Sequence, residues 1–142
     1  MKSIKAIVAG CLFIIVVILL MQLAFIFIAV GYNALAKDYP LLNEISGSFR
    51  YIVGIPIFMV IMFFGGYLTA TIADTRVLAR VLLHCLAVGL ITTGGMMYSA
   101  LENTNLTLTG IIVIFLALVA AASGGLYWQK RYSQRPYLQS PH

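Results

Sequence analysis

Asp74, Arg76, Arg80 and His84 are the residues of this chain whose types and spacing suggest chemistry. Arg76, Arg80 and His84 recur at i, i+4, i+8, so a helix beginning near Arg76 lines them along one face, with Asp74 in reach of either arginine. At 1.5 Å of rise per residue, His84 would lie about 10 Å inside the end of that helix. In apolar surroundings a charge at that depth is costly, and histidine is the side chain most easily switched near neutral pH. The pattern therefore offers a site for an anionic headgroup or solute, or a proton-sensitive gate. A plainer reading has the arginines reaching outward to phosphates, Asp74 capping or pairing at the turn, and neutral His84 bonding a nearby carbonyl or hydroxyl.

The rest of the inventory is thin. An enzyme working at a membrane needs a nucleophile with its base, paired carboxylates or a metal set. Asp74 and Glu102 fall at opposite ends of the expected helices, and the other histidine is the terminal His142. Cys11 and Cys85 lie inside apolar runs without a base and read as small packing residues. The expectation is a non-enzymatic protein with no cofactor and no metal.

The elements that carry these residues are set by composition. Of 142 residues, 62% are hydrophobic and 9% charged, against a soluble norm of about 45–50% and about 25%. Apolar runs over 4–31, 51–73, 77–100 and 106–128 each reach the about 20 residues needed to cross a bilayer. The expected fold is all-α: a polytopic membrane protein in one four-helix antiparallel bundle, with an outer loop over 32–50 and a basic tail over 129–142. Lys2 and Lys5 precede an apolar run about twice as long as a signal peptide's, which favours an uncleaved first helix. Lys2, Lys5, Arg76, Arg80, Lys130, Arg131 and Arg135 gather on one side against Lys37 and Arg50 on the other, so both termini are expected in the cytoplasm. The net charge of +5 then reads as topology and attraction to anionic lipid, with no role for nucleic acid.

Small residues mark the expected seams. Gly65, Thr69 and Ala73 form one row on helix two, and Gly66 and Ala70 a second beside it. Helix three presents Cys85, Gly89 and Thr93, and helix four Ala117, Ala121 and Gly125 beside Ala120 and Gly124. Such rows let backbones approach closely in lipid, so helices two to four are expected to form the centre, with helix one peripheral. Gln22, the lone amide of helix one, is expected to bond a neighbouring helix. Pro56 is expected to bend the first turns of helix two, Pro40 to open a short interfacial helix, and Tyr127 and Trp128 to anchor the inner rim.

The run Gly65-Gly66-Tyr67-Leu68-Thr69-Ala70-Thr71-Ile72-Ala73, followed by a basic turn, His84 and Gly89, resembles a pattern in small uncharacterised bacterial four-helix membrane proteins. The resemblance implies the bacterial cytoplasmic (inner) membrane and a four-helix bundle, and carries no activity. The function expected is that of an accessory or interaction component, as a homo-oligomer or bound to a larger membrane protein. The alternative is a small oligomeric transporter or channel lined by Gln22, Thr92, Thr93 and His84, whose convergence on one cavity would distinguish it.

Overall fold

A computed structural model describes residues 2–36, 50–75, 77–101 and 108–133. Four helices fill them: α1 (Lys2–Ala36), α2 (Ile55–Ala73), α3 (Leu78–Leu101) and α4 (Leu108–Ser133), with a π-helical turn, Arg50–Gly54, feeding α2. Each helix is long and apolar enough to span a membrane. In hydrocarbon every backbone N–H and C=O must bond within the chain, which long helices do on their own. α1 outruns its apolar segment at both ends and α4 at its C-terminal end, because that ladder continues into polar residues. Lys130 and Arg131 stand in the last turn of α4, where cations complement the helix dipole. The π turn ends two residues before Pro56, which lacks an N–H and crowds the carbonyl four residues back, within that turn. Inserting one residue into the turn relieves both problems. The stretch opened by Pro40, and Arg76 and Arg135, lie outside the described residues.

Contacts fix the topology. Gly89 meets Leu118 and Gly125 meets Cys85, so α3 and α4 run antiparallel. Cys85 against Gly66 and Val81 with Ala70 make α2 and α3 antiparallel too. Helices α2 and α4 therefore run parallel where Gly66 faces the Ala121 carbonyl and Gly124 the Phe63 carbonyl. Gly65 against Ile14, and Gly10 against Thr69, make α1 antiparallel to α2 by the same logic. Gly10 also meets Val88 and Cys11 lies beside Thr92, so α1 and α3 are parallel. Helices α2 and α3 touch each other and both of the others, while α1 and α4 occupy opposite corners.

The α2–α4 crossing is the most extensive contact in the bundle. At its centre each helix places a glycine against the other's carbonyl, so backbones meet with no side chain between them. Dispersion and weak Cα–H···O contacts act where no hydrophobic force drives association. The two small-residue rows of α2 serve different partners: Gly65 and Thr69 take α1, while Gly66 and Ala70 take α4 and α3. Thus α1 is a full partner of α2, through its own row Ala6, Gly10 and Ile14, all buried. It is peripheral only in that most of its remaining surface is exposed.

Candidate functional site

The α2–α3 turn begins with Asp74, which ends α2 in the left-handed region at φ 45° and ψ 43°. Its N–H donates to the Ala70 carbonyl at 3.2 Å, as a C-terminal cap requires. Aspartate tolerates this backbone better than most residues. The carboxylate is exposed, and among the described residues it forms no ion pair with Arg80, itself exposed. Val77 closes the first turn of α3 by accepting from the Arg80 and Val81 N–H groups at 3.0 and 3.1 Å. Arg76 lies outside the described residues, so the expected row is visible as Arg80 and His84 only.

His84 is 6% exposed. Its Nδ1 bonds the Arg80 carbonyl one turn back. A carbonyl only accepts, so Nδ1 carries the proton of this bond. The pairs Gly10–Val88 and Cys11–Thr92 set the α1–α3 register. Continued toward the turn, that register brings the first turns of α1, Ser3 to Ala6, level with His84. His84 thus places one ring nitrogen on a backbone carbonyl of its own helix.

The other interior polar groups behave alike. Thr69 donates to the Gly65 carbonyl at 2.8 Å, Thr92 to Val88 at 2.6 Å, Thr93 to Gly89 at 2.6 Å and Ser123 to Ala120 at 2.7 Å. Between helices, the Cys85 thiol donates to the Gly66 carbonyl at 3.4 Å, and Cys11 stands beside Thr92. Among the described residues no three of His, Cys, Asp and Glu are placed to hold a metal ion. Gln22 departs from expectation. It is exposed on α1, and among the described residues its amide meets no neighbouring helix. The four residues considered as a channel lining therefore do not converge, since Gln22 points away from the bundle that buries His84, Thr92 and Thr93.

Of the glycines and alanines marked in sequence, Gly65, Gly66, Ala70, Ala73, Gly89, Ala121, Gly124 and Gly125 are all buried. A Cβ on Gly89 would stand 2.8 Å from Leu118, and one on Gly125 2.5 Å from the Cys85 sulfur. Gly94 and Gly95 instead face open space. Trp128, expected at the inner rim, is turned into the bundle: it is 7% exposed and packs with Ala70, Val81 and Cys85. Tyr132 stacks on it with centroids 5.0 Å apart. Tyr127 is half exposed, with Tyr67 and Phe63 beside its ring and the Arg131 guanidinium 6.0 Å over it. What sequence reasoning missed is the Ala6–Gly10–Ile14 row, whose i, i+4 spacing was its available signal. Comparison with protein-family models, curated proteins and solved structures finds no match to this chain.

Proposed function

We propose that this protein is a non-enzymatic component of the bacterial cytoplasmic membrane that acts by binding other membrane-embedded protein, with its basic end toward the cytoplasm and anionic lipid. One observation carries the reading. Inside the bundle the hydroxyls and the imidazole are taken up by carbonyls of their own helices, whereas α1 turns a long surface and an amide outward. Polar groups satisfied in place do not line a path, and a water-filled route needs them free. An exposed amide within a membrane span is better explained by a protein neighbour than by lipid. Arg80, Lys130 and Arg131 at one end supply contacts for anionic headgroups.

The test is gentle solubilisation of native membranes, followed by the particle mass and protein content of what purifies with the tagged chain. A particle well above the 15.5 kDa of one chain, containing further copies or a reproducible second protein, is expected. His84→Leu should leave that particle intact. A single-chain particle that moves solute across liposomes, and loses flux on His84→Leu, would replace this reading with transport.

A further inference from the structure

The α1 surface has a pattern of its own once the bundle shows which face is already used. Ala6, Gly10 and Ile14 are buried against α2 and α3. About two-fifths of a turn around the helix, Leu12, Ile15, Leu19, Gln22, Ile26 and Ala29 follow one another at alternating spacings of three and four, and all are exposed. Leu12, Ile15, Leu19 and Ile26 are 56%, 48%, 58% and 60% exposed. A 3.5-residue repeat of this kind forms the seam of a left-handed helix pair.

Gln22 lies within this seam. It stands about 7 Å beyond the midpoint of the Ser3–Tyr32 span, counted at 1.5 Å per residue, which leaves it within the about 15 Å half-thickness of the hydrocarbon. An amide there carries donors and an acceptor with no water to meet them. We propose that the Leu12–Ala29 seam of α1 is the interface with a second copy of this chain, and that the two Gln22 side chains hydrogen-bond across the dimer axis. The occupant follows from complementarity. Two copies inserted the same way and related by an axis along the membrane normal bring Gln22 to the same depth. An amide is its own complement, the NH2 of one meeting the C=O of the other. A lone polar residue in an apolar helix seam also fixes register and partner number.

The inference rests on the proposed role as an interaction component, and its test separates the two. In a chain carrying Cys11→Ala and Cys85→Ala, single cysteines Ile15→Cys, Leu19→Cys, Gln22→Cys and Ile26→Cys are oxidised in native membranes beside the equally exposed Leu20→Cys, Leu23→Cys and Phe27→Cys. Disulfide dimers several-fold more abundant in the first set support the seam, and equal or absent dimers in both sets overturn it. In bicelles, energy transfer between labelled full-length chains should show Gln22→Leu dimerising about three- to thirty-fold more weakly, the range measured for interhelical hydrogen bonds in lipid. Gln22→Asn should retain most of the affinity. A Gln22→Leu dimer as tight as the wild type overturns the amide pairing. Seam cysteines that capture a different protein overturn the homodimer while leaving the interaction role standing. A single-chain particle with no companion overturns both.

Discussion

At the scale of single residues, Asp74 separates a capping role from a chemical one. Its left-handed backbone costs an L-residue about 1–2 kcal/mol, less for aspartate, and a glycine nothing. Asp74→Gly should therefore hold or raise stability by up to about 1 kcal/mol, whereas Asp74→Val should lower it by about 1–2 kcal/mol, read from unfolding in graded detergent mixtures. A loss on Asp74→Gly would mean that the carboxylate itself is required. The glycines divide in the same way. Gly66→Ala and Gly124→Ala each drive a methyl into a backbone carbonyl across the α2–α4 crossing and should cost about 1–3 kcal/mol. Gly94→Ala, with open space around it, should be neutral or gain up to about 1 kcal/mol from helix propensity. Equal effects at the three sites would refute the glycine-to-carbonyl crossing. Sequence spacing picked out Gly66 and Gly124 because close approach demands small residues at i, i+4. It also admitted the Gly94–Gly95 pair, since spacing alone does not say whether a neighbour stands opposite.

At the scale of elements, the helices and their approximate spans were legible because crossing a bilayer requires length and apolarity that nothing else in this chain supplies. The faces of α1 were not. A helix that is Ile, Val, Leu and Phe on every side has no polar edge from which to read orientation, so the short row Ala6–Gly10–Ile14 and the amide of Gln22 were ambiguous until the neighbours were placed. Trp128 misled for a related reason. Its position near the end of an apolar run matches the membrane-rim pattern, yet the small residues Ala70 and Cys85 leave a recess that its ring fills. Being the one tryptophan of the chain, it reports its own surroundings. Lipids brominated near the headgroup should quench its fluorescence weakly, and strong quenching would put it back at the rim. The parallel register of α1 on α3 has an independent check. With Cys85→Ala in place, Thr92→Cys should close an intramolecular disulfide with Cys11 under mild oxidation, seen as a mobility shift that reductant reverses. Its failure, alongside a control bridge between Cys11 and a cysteine elsewhere on α3, would break the assigned register.

At the scale of the whole molecule, the bundle order brings the start of α1, the α2–α3 turn and the end of α4 to one end, and with them Lys5, Arg80, Lys130 and Arg131. Charge was the signal for this arrangement in the sequence, and the contact registers reach the same grouping without reference to charge. The proposed orientation puts that end in the cytoplasm, on the ground that basic residues next to short loops resist translocation. A fluorescent protein fused after His142 should therefore glow, since it folds in the cytoplasm, and alkaline phosphatase inserted at Asn43 should be active, since it requires the oxidising outer compartment. The reverse pair of results would invert the molecule and move the proposed anionic-lipid contacts of Arg80, Lys130 and Arg131 to the outer face. It would leave the α1 seam untouched, because a dimer axis along the membrane normal is indifferent to which side is inside.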